Sequence, residues 1–97
     1  MATELPILAC SLDAAGVKEQ AARYAEVTAH VTQLQRAPHT LIAAVDAEVD
    51  GAVLQDLIDT ERACCPFFTI TYENGTLTYV TGHAAALDVI EEALTRR

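Results

Sequence analysis

The stretch F-F-T-I-T-Y-E-N-G-T-L-T-Y-V-T, residues 67–81, decides the fold. Two runs of alternating apolar and polar residues, 67–73 and 76–81, flank the pair Asn74 and Gly75. Alternation is typical of a strand that buries one face, and Asn-Gly is a favoured pair in a two-residue type I′ turn. The stretch therefore predicts an antiparallel hairpin with one face against a core and the other facing outward.

A helix is predicted on each side of this hairpin. Residues 48–64 carry apolar side chains at helical spacing, interrupted by Glu61. Pro66 ends this helix, because the residue before a proline is pushed out of the right-handed helical conformation. Residues 83–95 are predicted to form the last helix of the chain, with its leucines and isoleucine on the inner side.

The N-terminal half is predicted to add a strand, a helix and a second hairpin. Residues 5–12 are predicted to form a strand, and Asp13 is predicted to cap a helix that runs to about residue 28. The apolar stripe of that helix includes Val17, Ala21 and Tyr24. The stretch 30–46 fits either a continued helix with one strand or a hairpin of strands 30–36 and 40–46. Pro38 and the β-branched residues favour the hairpin.

The resulting order, β-α-β-β-α-β-β-α, predicts an α+β fold in a single domain, 1–97. The specific prediction is a two-layer ferredoxin-like plait with an antiparallel sheet and the helices on one face. In that plait strand 5–12 lies between strands 40–46 and 67–73 and runs antiparallel to both. This strand order would bring Cys10 to Cys65 and would deliver His83 to the same rim.

Composition narrows the class of partner. Six basic and fourteen acidic residues give a net charge of -8, which argues against nucleic-acid and anionic-membrane partners. Many of the apolar residues are alanine, so the core is thin for one short chain and a homodimer is expected. The N-terminal residues lack the basic start of a signal peptide, which predicts a cytoplasmic protein with reduced thiols.

Three cysteines, Cys10, Cys64 and Cys65, are the candidate site. Their odd number and the adjacency of two of them make a poor disulfide framework, whereas three thiolates suit a soft ion such as Zn(II), Cu(I), Hg(II) or As(III). Glu61 and His83 are further candidate ligands. The sequence therefore predicts a metal ion as the partner, bound for sequestration, transfer or sensing, and no organic cofactor.

Two other functions remain open. The cysteines are also explained as small buried side chains in a non-catalytic, dimeric interaction module, whose hairpin presents Thr69 and Thr71 on an outward face. The third function is that of a thiol redox protein. The end of a helix disfavours a thiolate, as does the nearby Glu61 carboxylate, so the residues favour binding over catalysis and no catalytic residue is assigned.

The segments A-C-S-L (9–12) and E-R-A-C-C-P-F (61–67) resemble a family of small, mostly uncharacterised bacterial proteins that is common in actinobacteria. Genes of that family often lie beside metal-resistance genes, so the resemblance implies soft-metal handling. It does not extend to His83, where similar sequences often have proline. The residues that the resemblance supports are Cys10, Glu61, Cys64, Cys65, Pro66 and Phe67.

Overall fold

The computed structural model describes residues 14–95 and shows an α+β fold of three helices and a four-stranded antiparallel sheet. The elements are α1 (Ala14–Thr28), β1 (Val31–Ala37), β2 (Thr40–Val45), α2 (Gly51–Cys64), β3 (Thr69–Glu73), β4 (Thr76–Val80) and α3 (Ala84–Thr95). From the first helix onward the predicted order of elements is confirmed. The predicted strand 5–12, with Cys10, lies outside the described residues.

The hairpin of β3 and β4 forms as its turn residues require. Asn74 and Gly75 both have positive φ, 54° and 75°, which a type I′ turn demands at its two central positions. The Val45 N–H donates to the Gly75 carbonyl at 2.8 Å, so the turn is also attached to the end of β2.

The sheet order is β1-β2-β4-β3, and this corrects the predicted ferredoxin-like order. β2 pairs with β1 on one side and with β4 on the other, so strand 5–12 cannot lie between β2 and β3. The physical reason lies in the burial of the two hairpin strands. β4 buries Leu77 and Tyr79 and takes a central place, whereas β3 buries only Ile70 and lies at an edge of the sheet formed by the described strands.

The core lies between the helices and one face of the sheet. The buried residues of that inner face are Val31, Leu41, Ala43, Val45, Ile70, Leu77 and Tyr79. The helices pack leucine and isoleucine against them, chiefly from α2 and α3. Thr69 and Thr71 point outward as predicted, while Tyr72, two residues after the inward Ile70, is 39 % exposed because it lies on the edge strand of the described sheet.

The helices differ from their predicted stripes mainly at α1. Val17 is 37 % exposed and Ala21 is exposed, whereas the polar Gln20 is buried. α2 starts later than predicted, because the Asp50 side chain accepts from the N–H groups of Ala52 and Val53 and caps the helix there. None of the helices between residues 14 and 95 is long and apolar enough to cross a bilayer.

Candidate functional site

The end of α2 places two cysteines at the boundary between helix and core. Cys64 is the last helical residue and Cys65 is the cap, and both side chains are buried. The Cys65 N–H donates to the Glu61 carbonyl at 2.7 Å, and the Phe68 N–H donates to the Cys65 carbonyl at 3.1 Å. Pro66 stands inside this turn, so the chain leaves the helix where the sequence predicts.

The sulfurs of Cys64 and Cys65 lie 3.5 Å apart. This separation is far longer than a disulfide bond of about 2.05 Å, so the two are present as thiols. Neighbouring residues of a regular helix point in directions about 100° apart, and the departure of Cys65 from helical geometry lets both sulfurs approach. Cys10, the third predicted thiol, lies outside the described residues.

Glu61, one helical turn before Cys65, is a buried carboxylate with 1 % of its surface exposed. Its Oε2 accepts from the Gln20 side-chain amide at 3.0 Å and from the Tyr24 hydroxyl at 3.1 Å. Among residues 14–95, no hydrogen-bond partner meets its Oε1. Glu61 therefore interrupts the apolar stripe of α2 because α1 supplies polar partners for one of its two oxygens.

A buried polar network extends from Glu61 into the sheet. The Tyr24 and Tyr79 hydroxyls lie 3.0 Å apart, and because Tyr24 uses its single proton on Glu61, Tyr79 is the donor of this pair. Arg23 donates to the Gln20 side-chain oxygen at 2.9 Å, which orients the amide so that its NH2 group faces Glu61 and the Leu57 carbonyl.

The surroundings shift the pKa values of this network. Burial raises the pKa of the Glu61 carboxyl, while hydrogen bonds from the side chains of Gln20, Tyr24 and Cys65 oppose that rise. Burial also raises the pKa of Tyr24 well above its ordinary value, helped by Tyr79 and Glu61. The pKa of Tyr79 is raised by burial as well. Both hydroxyls therefore keep their protons and act as hydrogen-bond donors.

Phe67 and His83 form an aromatic contact on the outside of this end of the molecule. The edge-on rings have centroids 5.1 Å apart, and Phe67 also contacts Phe68 at 5.0 Å. Phe68 in turn meets Tyr79 edge-on at 5.8 Å, which links the aromatic contacts to the buried network. His83 is thus held near the predicted site by Phe67, two residues beyond Cys65.

The structure brings two of the predicted thiols and Glu61 to one end of α2. Within the described part of the chain, however, no three His, Cys, Asp or Glu side chains form a cluster that could hold a metal ion. A three-ligand site at Cys64 and Cys65 therefore requires a ligand from beyond residues 14–95, and Cys10 is the predicted one.

Sequence reasoning missed the partners of Glu61. Gln20 lies outside the predicted apolar stripe of α1, and Tyr24 is predicted only as a member of that stripe. The usable signal was Glu61 itself, because a carboxylate on a buried stripe needs donors, and a buried tyrosine hydroxyl needs an acceptor. The sequence did not say which donor would meet which acceptor, because the Tyr24 and Glu61 side chains are 37 positions apart.

No protein-family model matches this chain, and neither the curated proteins nor the solved structures contain a match to it.

Proposed function

We propose that this protein binds a thiophilic metal or metalloid ion through the thiolates of Cys64 and Cys65, with Cys10 as the third ligand. The observation that carries the proposal is the 3.5 Å separation of the two buried sulfurs. Both ligands come from one short turn, so no large rearrangement is needed for two bonds to one ion.

The sulfur separation discriminates among ions. Two sulfurs 3.5 Å apart, each about 2.3 Å from one ion, subtend an angle of roughly 99° at that ion. A linear two-coordinate ion with the same bond length would need sulfurs about 4.6 Å apart. The geometry therefore favours a tetrahedral Zn(II) or a pyramidal As(III) over linear Cu(I) or Hg(II).

Electrostatics also favour an ion over unassisted thiol chemistry. The C-terminal end of α2 and the neighbouring Glu61 both disfavour a negative sulfur. The positive side chain nearest to these cysteines in the sequence is Arg62, and its guanidinium donates to the Ile70 carbonyl at 2.6 Å. A bound cation supplies the missing positive charge itself, and ion binding then releases thiol protons.

The third ligand depends on the placement of residues 5–12. The predicted strand 5–12 lies outside the described residues 14–95, so Cys10 as the third ligand remains a prediction from the sequence.

The test is native mass spectrometry and calorimetric titration of the reduced full chain with Zn(II) and with As(III). One ion per chain is expected, with affinity reduced at least tenfold in Cys64→Ser, Cys65→Ser and Cys10→Ser. The matched control is Thr60→Ser, a change on α2 that removes no thiol. If the double variant Cys64→Ser/Cys65→Ser takes up the ion as the wild type does, the proposal is contradicted and the cysteines serve only in packing. If Cys10→Ser takes up the ion unchanged, Cys10 is not the third ligand.

A further inference from the structure

The outer face of the described sheet carries one charged side chain, on a protein with a net charge of -8. Strand register places three rows of four side chains on this face. The outer face is defined by Gln33, Ala44, Thr76 and Glu73, by Gln35, Ile42, Thr78 and Thr71, and by Ala37, Thr40, Val80 and Thr69. Of these twelve positions in the described strands, only Glu73 is charged, and it lies at a corner.

The centre of the outer face is built for packing against another flat surface. The two central strands, β2 and β4, contribute small or β-branched side chains, including Ile42, Thr78 and Val80. Val80 is 40 % exposed, although its inner-face neighbour Tyr79 is completely buried. Threonine presents a methyl group beside a hydroxyl, so such a face can make apolar contacts while its hydroxyls form hydrogen bonds across an interface.

We infer that the outer face is the surface on which a second copy of this chain docks. Two copies carry -8 each, so contact through their acidic helical surfaces is repulsive. The outer face lets two copies approach without opposing like charges, and a two-fold axis through its centre keeps each Glu73 at the rim. Nucleic acids and charged membrane surfaces find no complementary charge there.

The size of the outer face sets the expected strength of the dimer. Four strands about 4.8 Å apart and three rows about 6.8 Å apart give a flat footprint of roughly 400 Å² per copy. Two such footprints are below the standard protein–protein interface, in the range of weak and transient contacts. We therefore expect a dimer that dissociates at low micromolar concentration, with two sheets packed face to face about 10 Å apart.

Sedimentation velocity of the reduced full chain tests this inference over concentrations from low micromolar to several hundred micromolar. The wild-type chain is expected to shift from monomer to dimer, and Thr78→Arg is expected to weaken dimerisation at least tenfold. Val80→Arg provides a second variant on the same face, and far-ultraviolet circular dichroism reports whether each variant folds.

Gln55→Arg on the exposed side of α2 is the matched control. It adds the same charge but lies beside Asp59, which its side chain already contacts, so the dimer is expected to persist. A wild-type chain that stays monomeric throughout, or a folded Thr78→Arg that dimerises as the wild type does, overturns the inference. In that case, cross-links between the outer face and residues 1–13 of the same chain would identify that segment as the one that packs on the outer face.

Discussion

The Tyr24 hydroxyl of α1 lies 3.1 Å from Oε2 of Glu61 on α2, and both side chains are buried. This hydrogen bond joins two helices across the inner side of the molecule and continues to Tyr79 in the sheet. It holds the carboxylate one helical turn from Cys65. The packing of three elements and the neighbourhood of the candidate site therefore depend on the same group.

The first prediction concerns pH. Burial raises the pKa of folded Glu61 above its ordinary value of 4.5, so the folded state holds this proton more tightly than the unfolded chain does. The resulting stabilisation is fully present below pH 4.5 and is lost as the pH rises through the folded pKa. Urea unfolding at several pH values should show this loss in the wild type and its absence in Glu61→Gln. Glu26→Gln on the exposed side of α1 should retain it.

The second prediction compares the two tyrosines. Tyr24→Phe removes a donor to Glu61 and leaves the Tyr79 hydroxyl without its acceptor, so the free energy of unfolding should fall by about 1–3 kcal/mol. Tyr79→Phe leaves the Tyr24–Glu61 hydrogen bond in place and should lower it by about 0.5–1.5 kcal/mol. Denaturant unfolding of both variants measures which one loses more free energy of unfolding. A larger loss for Tyr79→Phe would contradict the assignment of Tyr79 as the donor to Tyr24.

The third prediction concerns the turn between β3 and β4. Gly75 has a φ of +75°, and a Cβ there would lie 3.2 Å from the Val45 carbonyl oxygen. Gly75→Ala should therefore lower the free energy of unfolding by about 1–2 kcal/mol. The control is Gly51→Ala in the first turn of α2, where a Cβ meets nothing within 4 Å and alanine favours the helix. Thermal melts should show opposite signs for the two changes.

The fourth prediction concerns the start of α2. The Asp50 side chain accepts from the N–H groups of Ala52 and Val53, and Asp50→Ala should lower the free energy of unfolding by about 1 kcal/mol. Asp56→Ala removes an exposed carboxylate from the middle of the same helix and serves as the control. Equal losses in the two variants, measured by urea unfolding, would show that charge and not capping is responsible.

The fold was predictable wherever a few neighbouring residues decide it. Asn74 and Gly75 specify their own turn, and Pro66 ends α2 from within the same stretch of chain. The predicted start of α2 at residue 48 is wrong, because the Asp50 side chain caps the helix two residues later. Only the local part of the candidate site was predictable. Cys64, Cys65 and Glu61 lie at the end of one helix, and their positions there do not depend on the packing of the rest of the chain.

By itself the sequence determined the hairpin at Asn74 and Gly75, the three helices and the closeness of Cys64 to Cys65, and it favoured the hairpin of β1 and β2, because turn chemistry and side-chain periodicity act over a few residues. The tertiary structure alone decided that β4 lies beside β2 and that Tyr79 meets the hydroxyl of Tyr24, 55 positions away, which in turn donates to Glu61. Those choices depend on which strand buries more side chains and which donor reaches a buried carboxylate. Both are properties of the assembled core, and no local pattern carries them.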